Sequence, residues 1–123
     1  MATHELTAAN LESTINDNDM VIIDFWAPWC APCKMFGPIF EKASEKYPDV
    51  KFMKCNTEVE QEVAGSFGIR SIPTTAIFRE QALLFMQPGA LPEAALHDVL
   101  GQVKALDMDE VRRKIAEHEK EGK

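Results

Sequence analysis

The chain has 123 residues, of which 46% are hydrophobic, and carries a formal charge of -7 at pH 7. That length and apolar content match one domain with a single core. No segment concentrates Lys and Arg, which argues against binding to nucleic acid or to an anionic membrane surface. The N-terminal segment MATHELTAANLE lacks the basic start and apolar run of a secretion signal, so we expect a cytoplasmic protein.

The first quarter of the sequence predicts a short helix followed by a buried strand. Thr7 is a candidate N-cap for a helix from Ala8 to about Asn16, which the polar run NDND ends. The segment MVIIDFW (20–26) is almost entirely apolar and β-branched, which is typical of a strand covered on both faces. Asp24 is the exception: burial among Ile and Phe side chains would raise the pKa of its carboxyl group and suit it to acid–base chemistry. An exposed aspartate on an edge strand is the alternative.

The rest of the chain alternates between helical and extended patterns, which indicates an α/β fold. From Cys30 to Tyr47 apolar residues recur at three- and four-residue spacing, and Pro38 should kink this helix. We predict strands at 50–56, 74–79 and 83–87, a short helix at 61–69 that Gly68 ends, an amphipathic helix at 92–106 and a charged surface helix after Asp107.

The last two predicted strands are too close together for a helical crossover, so they must form a hairpin. Their connection, FREQALLF, contains neither Gly nor Asn, the residues that favour positive φ. We therefore expect this hairpin to use a turn other than the Asn-Gly type.

Cys30 and Cys33 open the predicted helix in the motif WCAPC. Residues three apart in a helix have Cα atoms about 5 Å apart, which a disulfide can bridge. At a helix N-terminus Cys30 would face unpaired N–H groups and the positive end of the dipole, which lower a thiol pKa and favour Cys30 as the nucleophile. Cys33, one turn further, suits a resolving thiol, and Pro32 stiffens the turn between them.

Two other interpretations of the cysteine pair stay open on the residues alone. A closed zinc site needs about four ligands, and the remaining candidates form no second close pair: Cys55, His4, His97 and His118. Inert packing of two small side chains explains less well why the pair opens a helix. Cys55 itself is interpreted as a buried core residue, with an oxidisable third thiol as the alternative.

The segment FWAPWCAPCK (25–34) resembles the active site of the thioredoxin family in order and spacing. The resemblance covers about residues 3–106 and implies a thioredoxin-like α/β fold, with a central mixed sheet of four to five strands and helices on both faces. It implies a monomeric protein-disulfide reductase without a cofactor of its own. Disulfide-containing client proteins would be its substrates, and an NADPH-dependent flavoprotein, thioredoxin reductase, would reduce it again.

The same resemblance assigns roles outside the cysteine motif. Asp24 matches a buried aspartate that assists proton transfer at the resolving cysteine, and Lys54 matches a lysine that approaches this aspartate, although a solvated edge lysine is an alternative. The segment IRSIPTT (69–75) is similar to a loop whose cis-proline, here Pro73, faces the disulfide. The implied substrate groove has seven members: Trp29, Ala31, Pro32, Ile72, Pro73, Gly89 and Ala90.

The chain also departs from the family pattern. Ala31 stands where the family usually has glycine, which leaves the redox potential open. Residues 107–123 extend past the family's usual end, so we divide the chain into a domain at 1–106 and a C-terminal helical extension at 107–123 that frays toward Lys123. The competing functions are a disulfide oxidase or isomerase, and a partner-binding module in which the cysteines are dispensable.

Overall fold

A computed structural model describes residues 2–121, which form five strands and five helices. The strands are β1 (Thr3–Glu5), β2 (Met20–Trp26), β3 (Lys51–Asn56), β4 (Thr74–Arg79) and β5 (Ala82–Pro88). The helices are α1 (Leu11–Asp17), α2 (Ala31–Lys46), α3 (Gln61–Ser66), α4 (Glu93–Ala105) and α5 (Met108–Glu121). Within the described residues, no helix combines the length and the apolar character that crossing a membrane requires.

The five strands make one mixed sheet in the order β1-β3-β2-β4-β5. β1, β3 and β2 are parallel, whereas β4 is antiparallel to β2 and forms the predicted hairpin with β5. β2 is therefore the central strand, which explains its continuous apolar run. Asp24 lies within this strand with 1% of its surface exposed, so the edge-strand alternative for this residue is wrong.

Helices cover both faces of the sheet and create two separate cores. On one face, α2 and α4 contribute Phe36, Phe40, Leu96 and Leu100, which pack against Ile22, Phe52 and Ile77. On the other face, α1 and α3 contribute Leu11, Ile15 and Val63, which pack against Val21, Ile23 and Phe25. Each fully buried side chain of this size adds roughly 1.5–3 kcal/mol relative to exposure, so both faces of β2 fix its position.

The N-terminal segment differs from the prediction in two ways. Thr3–Glu5 forms β1, which was not predicted because a three-residue strand with mostly exposed side chains shows no alternating pattern. Thr7 does not cap a helix: its N–H donates to Asn10 Oδ1 at 2.9 Å, and its Oγ1 accepts the Asn10 N–H at 3.3 Å. This reciprocal turn delays the helix, so α1 begins at Leu11 and not at Ala8.

The β4–β5 turn also differs from the prediction. Glu80 has φ 49° and Gln81 has φ 71°, so both central residues adopt the left-handed conformation without a Gly or Asn. The expectation of another turn type was wrong, because contacts outside the turn override local preference. The Glu80 N–H donates to Asp19 O at 2.7 Å, and its carboxylate forms an ion pair with Arg112 of α5.

Helix α5 confirms the predicted charged helix over the described residues, while the predicted fraying toward Lys123 lies outside them. Met108 at its start is buried, and Arg112 one turn later pairs with the hairpin turn. Arg79, at the end of β4, holds the preceding junction by donating at 3.0 Å to three carbonyls at the end of α4, those of Val103, Lys104 and Leu106. The extension is thus anchored beside the β4–β5 turn.

Candidate active site

The two cysteines of the WCAPC motif lie at the N-terminus of α2. Cys30 is the N-cap residue, and Cys33 lies in the first turn, with their Cα atoms 5.2 Å apart and a disulfide between them. The Cys33 N–H donates to Cys30 Sγ at 3.2 Å, which shows that this sulfur faces the unpaired amides of the helix start. Both residues are only 4% exposed, and the predicted placement of the pair is confirmed.

The loop before β4 approaches the disulfide directly. The Ile72–Pro73 peptide bond is cis, and Ile72 O lies 3.6 Å from Cys30 Sγ. Gly89 joins this loop by donating its N–H to Pro73 O at 2.8 Å, with a φ of 102° that disfavours any side chain. The structure therefore brings Ile72, Pro73 and Gly89 to the same end of the sheet as Cys30.

The other predicted groove residues are exposed around the cysteine pair. Trp29 is 67% exposed, an unusual position for a tryptophan, and Ala31, Pro32 and Ala90 are exposed as well. Trp29 and Ile72 share a groove of about 360 Å³ with residues that the sequence interpretation missed, among them Thr57, Gln61, Arg70 and Ser71. Only Arg70 and Ser71 had a local signal, because they fall inside the IRSIPTT segment.

Asp24 lies in β2 on the face covered by α2. Among residues 2–121, no side chain or backbone group donates a hydrogen bond to either of its carboxylate oxygens. Burial raises the pKa of Asp24 from 3.8 to about 7, and the positive charge of Lys54 opposes this rise. A carboxyl group with such a pKa can accept and release a proton near neutral pH.

Lys54 lies directly beside Asp24 in the paired strands β2 and β3. Its ammonium is 5.1 Å from the centroid of the Trp26 ring and 4.0 Å from Glu41 Oε1, and its side chain is 25% exposed. Because β1 pairs with the outer side of β3, Lys54 does not lie on an edge strand, although its side chain stays partly exposed. The half-buried Trp26 packs beneath this ammonium and against the cluster that contains both cysteines.

Cys55 is buried on the opposite face of the sheet, among the residues that α1 and α3 cover. Burial, together with the charges of Glu60 and Asp24, raises the pKa of its thiol to about 12. At neutral pH it therefore stays protonated, and a protonated thiol is a poor nucleophile. The interpretation of Cys55 as a core residue is confirmed.

Comparison with known proteins identifies the family. The family model for thioredoxin matches residues 2–102, the region that contains the sheet, the cysteine pair and the cis-proline loop. The chain belongs to the thioredoxin family. Its fold is accordingly the thioredoxin-like α/β fold that the sequence predicts.

Similar thioredoxins come from several organisms. A Streptomyces coelicolor protein assigned as a thioredoxin 2 is 58% identical over 118 residues, which is 96% of this chain and 88% of that protein. Thioredoxin 1 of Nostoc is 38% identical over 80% of this chain and 94% of its own. The crystal structure of oxidised mitochondrial thioredoxin 3 from Saccharomyces cerevisiae has a TM-score of 0.76 and 32% identity, over 81% of this chain and 94% of that one.

Family membership and the bridged cysteine pair together define the activity. The chain is a thiol–disulfide oxidoreductase, a dithiol–disulfide reductase that works through Cys30 and Cys33. The two sulfurs gain and lose electrons by opening and closing one bond with little movement of the backbone.

Proposed function

We propose that Cys30 is the attacking nucleophile, Cys33 the resolving thiol and Asp24 the group that takes the Cys33 proton. The observation that supports this assignment best is the position of Cys30 Sγ, which accepts the Cys33 N–H at the start of α2. Helix amides and the dipole stabilise a thiolate at that position. Cys33 lies one turn into the helix, where the amides and the dipole stabilise a thiolate less. Its deprotonation therefore depends more on a separate base.

The exchange then proceeds in two steps. The Cys30 thiolate attacks one sulfur of a client disulfide, whose other sulfur leaves as a thiolate, and a mixed disulfide forms. Asp24 accepts the proton of Cys33, whose thiolate attacks Cys30 Sγ and displaces the second client sulfur. The client has gained two electrons, and the Cys30–Cys33 disulfide has formed.

Clients dock, in this proposal, across the surface that surrounds Cys30. Trp29, Ala31 and Pro32 supply one apolar side, while the loop at Ile72–Pro73 and the segment Gly89–Ala90 supply the other. Ile72 O lies 3.6 Å from Cys30 Sγ, so a client cysteine bound to that sulfur lies within reach of the loop backbone. Backbone recognition of this kind suits a reductase that accepts many different clients.

Continued turnover needs a source of electrons. We propose that an NADPH-dependent flavoprotein, thioredoxin reductase, reduces the Cys30–Cys33 disulfide, so that the protein carries electrons from this reductase to its clients. The proposed location is the cytoplasm, because a disulfide reductase needs a compartment that supplies reducing equivalents. Cell fractionation tests the location: recovery outside the cytoplasm would contradict it.

Variants of the two cysteines test the division of roles. Cys30→Ser should reduce the rate of insulin-disulfide reduction to background, because no attacking sulfur remains at the helix start. Cys33→Ser should leave a mixed disulfide between Cys30 and the client, which mass spectrometry detects. An adduct on Cys55, or turnover by Cys30→Ser, would contradict the assignment.

The same assay, driven by thioredoxin reductase and NADPH, tests two further proposals. NADPH consumption that depends on this protein is expected if the reductase is its partner, and no consumption above background excludes that partner.

A chain that ends at Leu106 should retain full activity if residues 1–106 form the complete domain. Loss of activity with native folding would assign residues 107–123 to the active unit.

A further inference from the structure

Two carboxylates compete for the ammonium group of Lys54. Asp24 lies beside it in the neighbouring strand, and Glu41 Oε1 of α2 lies 4.0 Å from Lys54 Nζ. The Glu41 side chain is 29% exposed, so water screens this contact less than it screens a fully exposed pair. The Thr3 hydroxyl donates to the same Glu41 oxygen at 3.4 Å, which ties the carboxylate to β1.

The surroundings of Lys54 limit where its ammonium can go. The Trp26 ring lies beneath it, with the centroid 5.1 Å from Nζ. Helix α2 also comes close at Gly37, where an added Cβ would lie 3.8 Å from Nζ. Glu41 follows Gly37 by one helical turn and so presents its carboxylate on the same side of α2. The Lys54 ammonium therefore lies close to the Trp26 ring, to α2 and to the Glu41 carboxylate.

We propose that Glu41 is a positioning residue for the exchange reaction: it holds the Lys54 ammonium at its own carboxylate, so that Asp24 stays free to take the Cys33 proton. This inference rests on the proposed role of Asp24. Its physical basis is that an ammonium shared with a second carboxylate stabilises the Asp24 anion less. Without Glu41, the ammonium can turn toward Asp24 and lower the proton affinity of that carboxylate.

Few other groups that face Asp24 carry a charge. On β3, the neighbour Cys55 points to the opposite face and keeps its proton, and on β4 the register partner of Asp24 is the uncharged Thr75. On α2, Cys33 is held in the disulfide of this oxidised state. Glu5 of β1 lies opposite Lys54 in the strand register, but no ion pair joins their side chains among residues 2–121. Lys54 is therefore the main charge that acts on Asp24, and Glu41 is the carboxylate that pairs with Lys54.

Glu41→Gln tests this inference, because the amide keeps an acceptor for the Thr3 hydroxyl and removes only the charge. In the oxidised full-length protein, a carbon-13 NMR titration of the Asp24 carboxyl should show its pKa lowered by about 0.5, the size expected for a partly screened pair. The matched control is Glu12→Gln, which makes the same charge change on α1, across the sheet. It should leave the Asp24 titration unchanged.

The Lys54→Met background shows whether the effect passes through the lysine. If Glu41 acts by holding the ammonium, Glu41→Gln should no longer lower the pKa of Asp24 in that background. An unchanged or raised pKa in Glu41→Gln alone, or an equal lowering without the lysine, would overturn the inference. This titration is measured without a client protein. Its result is therefore distinguishable from a test of the proposed proton transfer by Asp24, which the pH dependence of insulin reduction provides.

Discussion

The buried carboxyl group of Asp24 couples the stability of the protein to pH. Its pKa is raised from 3.8 to about 7, so between these values the native state binds a proton that the unfolded chain releases. Stability therefore falls as pH rises through this range, and is constant above it. The burial that raises the pKa of Asp24 thus weakens the fold at neutral pH, where the carboxyl group loses its proton.

Asp24→Asn isolates this effect, because the amide does not titrate. Relative to the variant, the wild-type free energy of unfolding should fall by roughly 4 kcal/mol between pH 4 and pH 8. Guanidinium unfolding of both proteins at the two pH values measures the difference. Parallel pH dependence of the two proteins would show that Asp24 ionises normally in the native state.

Some site residues could be predicted from the sequence around them, and others could not. The spacing of Cys30 and Cys33, and the acid within an apolar strand at Asp24, are local patterns, and the structure places all three as predicted. Glu41 had no such signal, because its contact with Lys54 joins two elements that only the folded chain brings together. Thr57 and Gln61 line the groove beside Trp29, and they too had no local signal in the sequence, because only the folded chain brings them there.

Among the elements, the β4–β5 hairpin shows how tertiary contacts override turn preference. Left-handed φ values cost about 1–2 kcal/mol for ordinary residues, yet Glu80 and Gln81 both adopt them. The hydrogen bond to Asp19 O and the ion pair with Arg112 favour this arrangement. No local pattern in FREQALLF reports either contact, whereas the long apolar run of β2 and the helical spacing of α2 were sufficient to predict those two elements.

Gln81→Gly should stabilise the hairpin by about 0.5–1 kcal/mol, because glycine adopts positive φ without steric cost. This gain exceeds the cost of the extra conformational entropy that glycine loses on folding. Gln87→Gly is the matched control within β5, where φ is not positive and the same substitution should destabilise by about 0.5–1 kcal/mol. Urea unfolding of both variants measures the two effects. Destabilisation by Gln81→Gly would indicate that the turn carries little strain.

For the molecule as a whole, the extension and the active site lie at opposite ends of β4. The disulfide faces the loop that precedes Thr74, and α5 is held beside the turn that follows Arg79. The family model ends at residue 102, but the Streptomyces relative matches 96% of the chain, so that similarity continues into α5. We propose that α5 acts apart from the exchange chemistry, as the truncated chain ending at Leu106 tests.

The redox potential of the Cys30–Cys33 couple tests the reductase account most directly. Equilibration in glutathione redox buffers, followed by alkylation of free thiols and mass spectrometry, gives the fraction oxidised at each ratio. With Ala31 between the cysteines in place of the usual glycine, we still predict a potential near the value of about -270 mV that is typical of thioredoxins. A potential of about -120 to -180 mV, the range of disulfide oxidants and isomerases, would contradict the account.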